Sequence, residues 1–107
     1  MILYKVLNKN DLQHFNNNEF FYGTNKDKID GFIHLSKWTQ IRNTVKKHFK
    51  KDSKIFLLKI YFKNTKNIKF EKSRDNMFFP HLYGNLNKNC VIEVFDYKKI
   101  EKIFDQK

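Results

Sequence analysis

The apolar positions along the chain change their rhythm several times, and each change predicts an element. "MILYKVL" opens the sequence as a strand. "NKNDLQHFNN" follows, with asparagine caps around a short helix, and "NNNEFFYGTNKDKIDG" reads as a loop holding a brief strand at "FFYG". In "FIHLS" the period is two: Ile33 and Leu35 face one way, and Phe32, His34 and Ser36 the other. After Ser36 the period becomes helical, through Trp38, Ile41, Val45 and Phe49, so a helix is expected over 37–50 with Ser36 as its N-cap. "SKIFLLKIYF" is apolar enough for a central strand, "NIKFEK" is a short strand, and "NCVIEVF" is another. "DYKKIEKIFDQK" suits a closing helix capped by Asp96. Pro80 cannot donate to a ladder, which argues against "FFPHLYG" as the middle of a central strand. Five or six strands and two or three helices, with no repeat or linker, predict one α+β domain over residues 1–107.

Composition adjusts this picture in a few places. Forty per cent apolar residues and twelve phenylalanines are enough for a folded core in 107 residues. A formal charge of +11 draws anions. Only Arg42 and Arg74 interrupt the lysines, however, and asparagine is abundant, which is the vocabulary of an A+T-rich genome. The lysines are dispersed, densest at "KKHFKK" over 46–51, so a solvated basic surface is the first reading and a nucleic-acid partner the second. No apolar run is long enough to cross a bilayer, and the N-terminus lacks the apolar length and cleavage site of a signal peptide. Cys90 stands alone, so no internal disulfide forms. A cytoplasmic protein that does not engage a membrane is expected.

Three groups of residues could carry chemistry. His34 shares a strand face with Ser36 at a strand-to-helix corner, a place where ligand clefts open; a histidine satisfied locally at a sheet edge is the competing reading. His81 and Tyr83 project together if "FFPHLYG" is extended, offering an imidazole beside a phenol, with Gly84 allowing the chain to turn after them. A structural turn with Tyr83 packed on the sheet is the alternative. In "FEKSRDN", Glu71, Ser73 and Arg74 set a carboxylate, a hydroxyl and a bidentate cation suited to phosphate in a short span, although Glu71 and Arg74 could simply pair. HExxH, CxxC and paired Cys/His spacings are missing, as are Walker and Rossmann glycine loops, so neither a metal site nor those phosphate cradles are expected. Cys90, within "CVIEVF", reads as a small core residue rather than a nucleophile.

"DGFIHLS", the helix containing "TVKKHF", "FEKSR" and "FFPHLYGNL" together resemble the bacterial domain-of-unknown-function family numbered 952. The likeness runs from "LYKVL" to "VIEVF", about residues 3–95. It departs from the family at "DNM" after Arg74, where glycines are usual, and leaves 96–107 as a C-terminal extension. The resemblance implies an ADP-ribosyltransferase-like fold, a compact domain around a split, curved, mainly antiparallel sheet. "FIHLS" is similar to a segment of the tRNA 2′-phosphotransferases, which share that fold and use NAD. On that likeness His34 lines the nicotinamide side of a pocket, and Lys5 stands where relatives carry a histidine or arginine for the NAD ribose. Glu71 and Glu93 are the candidates for a catalytic glutamate.

Two functions follow as expectations. In the first, NAD or a related nucleotide is the substrate and no metal is used. His34, His81 and Glu71 are then catalytic, and Lys5, Ser36, Ser73, Arg74 and Tyr83 hold the ligand. ADP-ribose transfer passes through an oxocarbenium-like state stabilised by positioned charge. In the second, the domain is a non-catalytic module for a nucleotide, an RNA end or an acidic protein. Both place His81 and Tyr83 at a cleft opposite His34.

Overall fold

In the computed structural model, which describes residues 1–73 and 75–105, the opening segment is strand β1 (Ile2–Asn8). Its antiparallel partner β4 (Ile55–Tyr61) is the middle strand of a three-stranded sheet closed by β8 (Val91–Asp96). Both β1 and β4 bury side chains on both faces. Leu3, Leu7, Leu58 and Ile60 pack to one side, with Phe15 of helix α1 (Lys9–Asn16). Tyr4, Val6, Ile55 and Leu57 pack to the other, against α3 (Ile41–His48) and α4 (Tyr97–Asp105). β1 therefore reads as a continuous apolar run broken once, by Lys5, which lies opposite Leu58.

A second three-stranded sheet, in the order β3-β6-β5, covers the first face with Ile33, Leu35 and Leu82. It is built from β3 (Ile33–His34), β5 (Ile68–Lys72) and β6 (Phe78–Leu82), all antiparallel. Among the described residues the backbones of the two sheets are joined by one isolated bridge, between Tyr4 and Ser36, so the architecture is α+β with its sheet split. A third pairing joins β2 (Phe20–Phe21) to β7 (Leu86–Asn87).

Four expectations need correction. The segment read as a loop contains a helix, α2 (Asn25–Asp30), started by a capping box between Thr24 and Asp27 and stopped by Gly31 in the left-handed conformation. The helix expected over 37–50 begins as a 3₁₀ turn, Trp38–Gln40, and becomes α-helical only over Ile41–His48. Ser36 does not cap it; its backbone pairs with Tyr4 and its Oγ shares a hydrogen bond with Thr44 Oγ1. Pro80 does sit in the middle strand of its sheet. Its carbonyl accepts from Leu35 N, and in an antiparallel strand the N and C=O of a residue face the same neighbour. The missing N–H thus points at the place where β3 ends, and no bond to β5 is lost. The closing helix is present, with Asp96 Oδ1 accepting from Lys98 N as expected.

Candidate functional site

The alternation read in "FIHLS" holds: Ile33 and Leu35 enter the core, and Phe32 and His34 come out on the other face. β3 pairs with β6 so that His34 lies directly opposite His81. The two imidazoles are therefore neighbours on one sheet surface, with ring centroids 5.6 Å apart, rather than groups facing each other across a cleft. Phe32 lies beside both, stacked on His81 at 3.9 Å and tilted against His34 at 4.6 Å.

Each histidine is held by a carboxylate. His81 Nδ1 is 2.8 Å from Glu71 Oε1, and the same oxygen accepts from Tyr83 Oη at 2.7 Å. Nδ1 is the nitrogen that meets Glu71, and Nε2 has no protein partner among the described residues. The hydrogen bonds from Tyr83 and His81 keep the Glu71 carboxyl below its usual range, and the same contact pushes the Tyr83 phenol up. His34 meets two acids, with Nδ1 2.6 Å from Asp27 Oδ1 and Nε2 3.0 Å from Asp30 Oδ2.

Asp27 was not among the residues expected at a site, yet it organises this one. It is 2 % exposed and binds through both oxygens. Oδ1 receives His34 N, His34 Nδ1 and Lys5 Nζ; Oδ2 receives Thr24 N and stands 2.8 Å from Lys5 Nζ. Burial by itself would raise this carboxyl, but the His34 hydrogen bond and the Lys5 ammonium outweigh it and hold the group well below the carboxylate range. Burial also lowers the Lys5 ammonium against the opposing pull of Asp27. Two sequence signals mark the pair: a lysine inside an apolar strand, and the T-x-x-D box of "TNKD" ahead of "DGFIH".

These groups form part of the lining of a broad cleft of about 1210 Å³, together with α2 and the C-terminal half of α3. Lys5, His34, Ser36, Ser73 and His81 all line it. Glu71 and Tyr83 are not among its lining residues; Glu71 stands behind His81 and Tyr83 is anchored to Glu71. Lys5 contributes from beneath, its Nζ also donating to the His34 carbonyl at 2.8 Å. Arg74 lies outside the described residues. On the α3 side Lys46, Lys47 and His48 complete the wall. Burial lowers the His48 imidazole and the Lys26 and Lys47 ammonium groups lower it further, against an opposing pull from Asp75; the lining sets five lysines among Asp11, Asp27, Asp30 and Asp75. Among the described residues no group of His, Cys, Asp and Glu is arranged to hold a metal ion, and no helix is long and apolar enough to cross a membrane.

The comparisons with known proteins agree with one another. No curated protein matches the chain significantly. Crystal structures of protein CC0527 from Caulobacter crescentus, as the natural chain and as a double mutant, superpose with a TM-score of 0.81 at 32 % sequence identity, covering 90 % of this chain and 85 % of theirs. The solution structure of the same protein gives a TM-score of 0.77 over 89 % of this chain and 83 % of that one. The family described as "Protein of unknown function (DUF952)" matches residues 6–94, and the chain is a member of it.

Proposed function

We propose that this protein binds NAD or a closely related nucleotide in the cleft and transfers its ADP-ribose unit, on an ADP-ribosyltransferase-like fold. One observation carries the reading: two histidines stand side by side in the cleft, one of them with a ring nitrogen left for a ligand. The cleft volume, somewhat above the usual range for small-molecule sites, leaves room for a dinucleotide. His81 Nε2 accepts from a ribose hydroxyl, and Phe32 offers an aromatic edge to a ring. Lys46 of α3, the cleft lysine of these helices without a carboxylate partner among the described residues, meets a phosphate, since Lys26 pairs with Asp30 and Lys47 with Asp75. In the transfer, the bond between ribose and nicotinamide breaks, nicotinamide leaves as a neutral base, and an acceptor hydroxyl attacks the ribose carbon and gives up its proton. The split sheet agrees with the fold that the resemblance implies.

A thermal-shift titration with NAD, ADP-ribose and a 2′-phosphorylated nucleotide tests this. A ligand at about a hundred times its dissociation constant adds roughly 2.7 kcal/mol, on the order of 10 °C for a domain of this size. The shift is expected in the natural chain and lost in His34→Ala and His81→Ala variants that still melt cooperatively. No shift with any of the three ligands overturns the reading. A second reading, binding without transfer, is favoured by one feature: the Lys5 ammonium is already engaged by Asp27 and the His34 carbonyl. Release of nicotinamide on incubation with NAD separates the two.

A further inference from the structure

The far end of the β5–β6 hairpin overhangs the core. Ile68 and Leu82 pack inward at one end, whereas Phe70 is 41 % and Phe78 54 % exposed toward the other. The register places Phe70 opposite Pro80 and Phe78 opposite Lys72, so both rings and Lys72 share one sheet face. Lys37, from the turn before α3, reaches across with Nζ 5.9 Å from the centre of the Phe70 ring. The other face repeats the arrangement, with Lys69 Nζ 5.1 Å from the centre of the Tyr83 ring. Lys37, Lys69 and Lys72 have no carboxylate at ion-pair distance among the described residues. The acids of the same hairpin are committed elsewhere, Glu71 to His81 and Tyr83, and Asp75 to Lys47.

We propose that this overhang docks single-stranded nucleic acid, with bases stacked on Phe70 and Phe78 and backbone phosphates on Lys37 and Lys72. An apolar protein partner would cover the rings and bury the lysines without a counter-charge. An acidic peptide would satisfy the lysines and leave the rings exposed. A single strand offers a π-face and a phosphate at every residue, the alternation this surface presents, on a chain of net charge +11. Lys72 also lines the cleft, so the surface runs into the site. The proposal does not rest on the nucleotide reading above.

Fluorescence anisotropy of a labelled 12-mer of oligouridylate tests it, on the full chain at 50 and 200 mM salt. Phe70→Ala and Phe78→Ala are each expected to weaken binding about five- to 150-fold, as loss of one stacked base does, with the salt dependence unchanged. Lys37→Gln lowers the slope of log affinity against log salt by about 0.7, the single-strand value for one phosphate contact. Phe70→Leu keeps an apolar side chain and removes the ring, and the loss should match that of Phe70→Ala. Absence of binding at 50 mM salt, full binding by the phenylalanine variants, recovery in Phe70→Leu, or equal competition by poly-glutamate each overturns the proposal.

Discussion

Asp27 decides more than any other side chain here, because it neutralises a buried lysine while aiming a histidine. Replacing it with asparagine keeps the shape and removes the charge, leaving the Lys5 ammonium uncompensated inside the protein. Breaking a buried pair from one side costs about 3–5 kcal/mol, and urea denaturation of Asp27→Asn should show a loss of that order. Adding Lys5→Met should restore part of it, since the stranded charge is then gone. Acid offers a second check. The Asp27 carboxyl titrates lower in the folded chain than its unfolded value of about 3.9. Its contribution is complete above that value and declines as pH falls toward the folded one, because protons then bind the unfolded chain preferentially. Melting temperatures measured from pH 6 down to pH 2 should fall less steeply in Asp27→Asn than in the natural chain. His34 and His81 were readable from the sequence because strand alternation and a flanking apolar frame are local signals. Asp27 was missed: its one local mark is the capping box with Thr24, and its ties to His34 and Lys5, seven and twenty-two residues away, form only in the folded chain.

Among the elements, α2 is the least expected and the most consequential for the site. Six residues with little apolar character form a helix because both ends are closed, by the Thr24–Asp27 box and by Gly31. Thr24→Ala should cost about 1 kcal/mol, the usual price of a lost N-cap, read as a lower urea midpoint. Gly23 immediately precedes the cap at φ +104°, and a Cβ there would come within 2.6 Å of the Asp27 Cβ. Strain of this kind costs on the order of 1–3 kcal/mol, so Gly23→Ala is expected to destabilise at least as much as Thr24→Ala in the same titration. β6 teaches a different lesson. A proline rule applied to sequence alone excluded a central strand, but the rule concerns which neighbour the nitrogen faces. Here that neighbour, β3, ends after two residues.

At the scale of the whole molecule, the α+β class and the central place of "SKIFLLKIYF" were legible, since a strand buried on both faces has little room for polar residues. The short pairing of β2 with β7 was not, because two-residue strands leave no periodicity to read. The +11 charge is spread over one small body and repels itself. Raising sodium chloride from about 20 mM to about 0.3 M shortens the screening length to several ångströms, so the melting temperature should rise with salt, and a fall or a flat response would show that the lysines are already compensated. The single bridge between the sheets has a mechanical consequence. Tyr4 and Ser36 exchange two backbone hydrogen bonds, of 2.9 and 2.8 Å, and Lys5 adds a tie to the His34 carbonyl. Two plates that share one pin are still glued face to face by the leucine and isoleucine side chains between them, and the lysine is the latch beside the pin. Exchange at the pin reports its two bonds alone, and deuterium should enter the Tyr4 and Ser36 amides well before it reaches Leu57 and Leu58 at the centre of β4.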